Sequence, residues 1–99
     1  MIREKRTHYR LRIVLPLLYR NSRHDGTVKK ALTCDISDSG LSFYSSSPQK
    51  KGTKLQITLM NIFAAPKDCT VIWQEKKDSR TYRVGVHFQK NKVQSYLQR

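Results

Sequence analysis

Short stretches of the chain alternate between apolar and polar residues, and this period of two is typical of β-strands with one buried face. Every second residue is apolar from Leu55 to Leu59 and again from Tyr82 to Phe88. Turn-forming residues separate several stretches that are rich in apolar or β-branched side chains. These stretches predict strands at residues 12–19, 28–35, 41–44, 54–60, 69–75 and 81–89.

Turn residues and one proline refine this prediction. Asp25-Gly26 is typical of a tight hairpin turn, and residues 45–52 and 76–80 predict two further connections between strands. Pro16 has no N–H to donate to a neighbouring strand, so we expect the first strand to be an edge strand or to bulge there. Six short strands at close spacing favour a small antiparallel barrel.

The period changes after Gln89. Val93, Tyr96 and Leu97 are spaced to share one face of a short helix, and Asn91 is a suitable N-cap. We therefore expect an all-β fold, a six-stranded antiparallel β-barrel, with a short C-terminal α-helix at about residues 91–98 that covers an open end or seam.

Length and composition fit one compact domain. The chain has 99 residues, of which 37% are hydrophobic, and this suffices for one small core. The first ten residues are charged and lack apolar periodicity, so we predict a flexible N-terminal arm at 1–11 and a barrel domain at 12–99. The longest apolar run contains Pro16 and is too short to span a bilayer, so we expect no membrane insertion and a cytoplasmic location.

The cysteines and histidines do not indicate a metal site or a disulfide framework. Cys34 and Cys69 are isolated in the sequence, and the histidines do not complete a metal-ligand spacing with them. We expect two reduced thiols and no metal.

Charge is the strongest feature of the composition. Twenty lysines and arginines against seven acidic residues give a formal charge of +13, which favours an anionic partner. The charge alone does not distinguish a nucleotide from a nucleic acid or an acidic membrane surface.

Two motifs narrow the choice of partner. Arg6 and Arg10 are four residues apart at the end of the arm, a spacing that chance supplies about 0.8 times in such a chain. Asp35, Ser37 and Gly40 form an Asp-x-Ser-x-x-Gly segment between two predicted strands, which chance supplies about 0.02 times. The second motif is therefore the more informative one, although taken alone it could be a simple Asx or Ser turn.

With two later landmarks, these motifs make the chain resemble the PilZ domain family. The landmarks are a Val-x-Trp sequence ending at Trp73 and a Val-Gly-Val-x-Phe sequence at 84–88, and their order and spacing also match. The resemblance implies a six-stranded barrel with a terminal helix, no catalytic activity, no cofactor, and cyclic di-GMP bound between the arm and the barrel. The ligand residues that it implies are Lys5, Arg6, Arg10, Asp35, Ser37 and Gly40, with His8 and Ser39 as further candidates.

The motif residues have chemistry suited to this ligand. A guanidinium group can grip a phosphate in a fork, bond the O6/N7 edge of guanine or stack on a base; Lys5, where the family often has arginine, does this less well. Asp35 could accept hydrogen bonds from guanine N1 and N2, and Ser37 can donate or accept. Gly40 permits a positive φ or a close backbone approach. Trp73 is expected in the core rather than on a stacking surface.

The predicted function is a receptor domain in which cyclic di-GMP orders the arm against the barrel and alters a surface that a protein effector reads. The sequence leaves open whether the domain is a monomer or a homodimer. The main alternative is a basic barrel that binds single-stranded nucleic acid with aromatics such as Tyr9 or Tyr44, and a ligand-free protein adaptor is another. A hydrolase built on Asp35 and Ser37 is disfavoured, because no nucleophile elbow or oxyanion donor can be located.

Overall fold

A computed structural model describes residues 10–23 and 27–89, and within these ranges the protein consists of strands, turns and loops without a helix. Seven strands follow one another: β1 (Leu11–Arg12), β2 (Pro16–Asn21), β3 (Lys29–Ile36), β4 (Gly40–Ser45), β5 (Lys54–Leu59), β6 (Lys67–Asp78) and β7 (Thr81–Phe88). Residues 1–9 of the predicted arm, the Asp25-Gly26 turn and the predicted helix at about 91–98 lie outside the described residues.

Six of the strands close into an antiparallel barrel, which confirms the predicted architecture. Hydrogen-bonded neighbours follow the order β3-β2-β5-β6-β7-β4, and β4 pairs back with β3 to complete the circle. Because every pair is antiparallel, connections alternate between two ends of the barrel. The β2–β3 end also carries the β4–β5 and β6–β7 connections, whereas the β3–β4 end carries the β5–β6 connection.

The predicted strand at 12–19 is wrong in its interior, because it is interrupted between β1 and β2. Both pieces pair with β3. Between them two backbone hydrogen bonds to β3 remain, from the Ile13 N–H to the Cys34 carbonyl and from the Thr33 N–H to the Leu15 carbonyl. The Thr33 hydroxyl adds two more, because it accepts the Leu15 N–H at 2.8 Å and donates to the Ile13 carbonyl at 2.5 Å. The break ends at Pro16, where the missing N–H predicted an irregularity.

One hydrophobic core fills the barrel. The inward face of β5 is the face that its alternation predicted, and the Tyr19 ring packs 5.0 Å from the Phe43 ring. Burial raises the pKa of the Cys69 thiol to about 12. The buried hydrophobic residues are Leu17, Tyr19, Leu41, Phe43, Leu55, Ile57, Leu59, Cys69, Val71, Val84 and Val86.

A β-bulge at Cys34 turns part of β3 outward. Thr33 pairs with Phe43, and both are buried on the core side. Asp35 lies two residues further on but pairs with Ser42, because the register shifts between Thr33 and Asp35. Since neighbouring residues of a strand face opposite ways, the shift places Asp35 with Ser42 on the outer face of the barrel.

A second bulge has the same effect in β6. Val71 lies in the core opposite Val86, whereas Trp73 pairs with Gly85 after a register shift. Regular alternation would return Trp73 to the core, but the extra residue, Ile72, places it on the outer face. Trp73 is only half-buried there. The prediction of a core tryptophan is therefore wrong.

Candidate functional site

The two bulges complete one row of residues across the outer face of four strands. Asp35 lies opposite Ser42, Ser42 lies opposite Gly85, and Gly85 lies opposite Trp73. Laterally paired residues stand beside one another on the same surface of a sheet. A cavity of about 820 Å³ opens over this face, with Asp35 and Trp73 in its lining.

The carboxylate of Asp35 is the polar centre of this cavity, and only 6% of the residue is exposed. Ser42 Oγ donates a hydrogen bond to Asp35 Oδ1 at 2.8 Å. Asp35 Oδ2 accepts hydrogen bonds from Arg10 Nη1 and Arg83 Nη2, each at 3.2 Å. Both oxygens are engaged, so one buried carboxylate holds two guanidinium groups at the cavity wall.

Positive charge exceeds negative charge around the cavity. Arg10, Arg12 and Arg83 line it, and Asp35 is the acidic residue that faces them among the described lining. The Arg10 and Arg83 side chains are 51% and 32% exposed, so both remain accessible to a ligand. Guanidinium groups held in fixed positions are suited to an anion with several acceptor oxygens.

Arg83 also lies against the indole of Trp73, with its guanidinium carbon 5.5 Å from the ring centroid, at a cation–π distance. The Nε of Arg83 is buried and has no hydrogen-bond partner within the described ranges. The sequence motifs did not identify Arg83 as a site residue. Its position beside Val84 in the alternating β7 pattern was the available signal that it faces outward.

The Asp-x-Ser-x-x-Gly segment continues from Asp35 into a tight turn at the β3–β4 end. The Ser37 N–H donates to the Gly40 carbonyl at 2.8 Å, and the Ser39 N–H donates to Ser37 Oγ at 3.3 Å. Gly40 is not among the glycines with positive φ, but a Cβ there would collide with the Val86 carbonyl oxygen. Close backbone approach, rather than a left-handed conformation, therefore explains the glycine.

The structure divides the predicted site between two adjoining pockets. Ser37, Ser39 and Gly40 line a small pocket of about 70 Å³ rather than the large cavity. Arg10 and Trp73 line both of them. Arg10 of the Arg-x-x-x-Arg motif therefore lines the same cavity as Asp35 and the same small pocket as Ser37 and Gly40.

The remaining predicted site residues, Lys5, Arg6 and His8, lie outside the described residues, and their contacts stay predictions. Within residues 10–23 and 27–89, no cluster of three or more histidine, cysteine or acidic side chains is arranged to hold a metal ion. The same part of the chain has no helix that is long and apolar enough to cross a membrane.

Tyr44 supplies an aromatic surface at the cavity. It is 42% exposed and lines the cavity together with Cys34. A hydrogen bond with the Cys34 side chain is the largest cause that raises the pKa of the Tyr44 phenol. The phenol therefore keeps its proton at neutral pH, and its ring provides a flat face for a base.

The fold and the cavity define a class of protein: a small closed β-barrel with a basic, aromatic cavity on its outer face that suits an anionic ligand. The sequence matches the PilZ domain over residues 4–99, which is nearly the whole chain. The chain belongs to the PilZ domain family. Comparison with curated proteins gives no significant match.

Solved structures share the fold. The inhibitor of motility MotI/DgrA from Bacillus subtilis has a TM-score of 0.70 at 12% identity, over 95% of this chain and 47% of that chain. The PilZ domain of YcgR from Escherichia coli with c-di-GMP has a TM-score of 0.66 at 19% identity, covering 96% and 87%. The MrkH–c-di-GMP complex from K. pneumonia has a TM-score of 0.66 at 14% identity, covering 95% and 48%. The chain thus spans about half the length of MotI/DgrA and MrkH.

Proposed function

We propose that this chain is a receptor domain for cyclic di-GMP, which binds in the cavity around Asp35. The observation that carries the proposal is the pair of arginines, Arg10 and Arg83, that one buried carboxylate holds at the cavity wall. Membership of the PilZ family and the fold shared with structures that contain c-di-GMP support it. The ligand offers two phosphates and two guanines, which match guanidinium donors and aromatic surfaces.

The geometry favours a positioning role for Asp35. Ser42, Arg10 and Arg83 already donate to its oxygens, so a guanine N1 or N2 contact would use the remaining acceptor position of Oδ1 or displace one of these donors. In the proposed complex Asp35 fixes the two guanidinium groups, Arg10 contacts a phosphate, and Arg83 with Trp73 presents a stacking surface. A contact between Asp35 and guanine stays a prediction.

The arm links the site to an output in this proposal. Arg6 precedes Arg10 by four residues, so an anion bound to Arg10 is within reach of Arg6 when the arm lies along the cavity. Arg10 and Leu11 already contact the barrel, so binding would then order the part of the arm that precedes Arg10 and create a surface for a protein effector. The domain binds and releases the ligand without chemical change, and it uses no cofactor.

Isothermal titration calorimetry with cyclic di-GMP tests the proposal. We expect saturable micromolar binding by the full chain and a loss of about tenfold or more for Arg10→Ala and for Asp35→Asn, because each removes a charge-assisted contact or its orienting partner. Arg23→Ala and Asp78→Asn are matched controls, since both residues lie outside the cavity lining. Absence of heat at about 50 μM ligand, or equal effects in variants and controls, would contradict the proposal.

A further inference from the structure

A second cavity opens at the β2–β3 end of the barrel. It has a volume of about 550 Å³ and lies between β2, the start of β3 and the β4–β5 loop. It shares no lining residue with the cavity around Asp35. Lys29 in its lining and Asp35 are six residues apart on β3, which is about 20 Å of extended strand. The two cavities are therefore separate.

Cations line this second cavity without a carboxylate among its described lining residues. The cations are Arg20, Lys29 and Lys50. Lys29 lies directly opposite Tyr19, whose ring belongs to the core. Paired residues share a face of the sheet. The Lys29 side chain is therefore on the inner face, at the opening of the barrel, and not on the outer face.

Neutral hydrogen-bonding groups surround these cations. Gln49, only 9% exposed, lies in the lining beside Ser47 and Thr53. The Gln49 N–H donates to Gln74 Oε1 at 2.8 Å, and its side-chain Nε2 donates to Ser47 Oγ at 3.3 Å. A buried amide fixed by such bonds gives the cavity a polar wall of defined shape.

The turn that carries Lys50 is held in place by backbone hydrogen bonds. The Thr53 N–H donates to the Lys50 carbonyl at 3.0 Å, and Gly52 between them has a φ of 93°, as a type II turn requires. The Gly52 N–H donates to the Val71 carbonyl at 2.7 Å and ties the turn to β6. Preorganised groups lose little conformational freedom when a ligand binds.

Arg20 follows the buried Tyr19 on β2, so its side chain lies on the outer face of the barrel, opposite to Lys29. Its Nε donates to Gln56 Oε1 at 2.9 Å, and Gln56 Nε2 donates to Asp68 Oδ1 at 3.1 Å. These hydrogen bonds hold the guanidinium on the outer face, so Arg20 forms the edge of the cavity and the two lysines supply its inward positive charge.

We propose that this cavity is a second anion site, which binds a phosphorylated small molecule independently of the cavity around Asp35. The ammonium groups of Lys29 and Lys50 would donate to phosphate oxygens. Ser47 and Gln49 would contact the rest of the ligand. A cavity of this size is large enough for a small phosphate ester.

The test is an NMR titration of the ¹⁵N-labelled full chain with inorganic pyrophosphate at constant ionic strength. Two double variants are matched in charge: Lys29→Met/Lys50→Met removes the cavity lysines, and Lys30→Met/Lys51→Met removes their sequence neighbours outside the lining. We expect saturable shifts around the cavity in the wild type and in the neighbour variant. The cavity variant should bind about tenfold or more weakly.

Three results would overturn the proposal. Equal weakening of pyrophosphate binding in both double variants would indicate diffuse attraction to a basic surface. Shifts confined to the cavity around Asp35 would indicate binding at that site instead. A titration that does not saturate by about 10 mM pyrophosphate would exclude specific binding. Arg83→Ala alters only the first cavity and is expected to leave the pyrophosphate-induced shifts around the second cavity unchanged. The outcome is thus independent of whether cyclic di-GMP binds.

Discussion

The indole ring of Trp73 occupies the space over Gly85, its partner on the neighbouring strand, where a Cβ would collide with the ring. Gly85→Ala is therefore expected to displace Trp73 and Arg83 with it. The stability cost should be about 1–3 kcal/mol, because the ring can turn towards the open cavity. Trp73 is the single tryptophan, so a changed emission maximum with weakened cyclic di-GMP binding checks the prediction. Unchanged emission would show that the ring does not rest on Gly85.

Gly40 provides the contrasting case. A Cβ at Gly40 meets the backbone carbonyl of Val86, which cannot turn aside as a side chain can. Gly40→Ala should therefore destabilise the barrel by more than Gly85→Ala, by about 3 kcal/mol or more. Urea unfolding of both variants under identical conditions measures the difference. A larger destabilisation by Gly85→Ala than by Gly40→Ala would mean that the backbone at the β3–β4 turn adjusts more readily than the Trp73 ring.

Arg83 should not be replaceable by lysine. Its planar guanidinium donates to Asp35 and lies against Trp73, and an ammonium group cannot do both. We expect Arg83→Lys to weaken cyclic di-GMP binding by about tenfold although the charge is kept. Arg80→Lys, at an exposed position outside the cavity lining, is the matched control. Calorimetry that gives equal affinities for wild type and Arg83→Lys would remove Arg83 from the site.

The buried thiol of Cys69 makes stability depend on alkaline pH. Its pKa is raised to about 12 from an ordinary value of 9.0, so between these values the unfolded chain loses the thiol proton while the folded chain keeps it. The contribution of the protonated Cys69 thiol to the free energy of unfolding is therefore fully present below pH 9. It is lost as pH rises towards 12, at no more than about 1.4 kcal/mol per pH unit.

Urea unfolding between pH 8 and 10.5 measures this dependence. Cys69→Ala should show a shallower decline in unfolding free energy than the wild type, whereas Val71→Ala, a buried truncation that removes no titratable group, should keep the wild-type slope. Cavity formation lowers the overall stability of Cys69→Ala, so the slope with pH is the informative quantity. Parallel slopes in all three proteins would contradict a strongly raised Cys69 pKa.

Salt dependence separates the proposed receptor from a barrel that binds single-stranded nucleic acid. A dinucleotide ligand contacts few cations, so its affinity should fall only gently with salt and depend strongly on Asp35. An oligonucleotide on a basic surface should lose affinity steeply with salt and tolerate Asp35→Asn. Fluorescence titrations of both ligands at several salt concentrations give the two slopes. A steep slope without dependence on Asp35 would favour the nucleic-acid alternative.

The sequence predicted the barrel and much of its core because alternation reports which face of a strand is buried. Leu55, Ile57 and Leu59 are inward as expected, and the motif at Asp35 to Gly40 lies where β3 turns into β4. Alternation failed at Trp73, because a bulge adds one residue that no local pattern marks. The partnership of Arg83 with Asp35 was also out of reach, since the residues are 48 positions apart and meet only through strand pairing.

The bulges at Cys34 and Ile72 have a consequence for the kinds of sequence change that this fold can accept. Each bulge shifts the alternation of its strand by one residue. Odd-numbered residues therefore face the core before the bulge and the ligand cavity after it. Deletion of Cys34 would give a regular ladder in which Thr33 still pairs with Phe43 and Asp35 with Ser42, so the carboxylate would stay on the outer face. A substitution at Cys34 also keeps Asp35 paired with Ser42 on the outer face. Binding by this domain should therefore tolerate replacement or loss of the extra residue, but not a one-residue slip in strand pairing, which would direct Asp35 into the apolar interior.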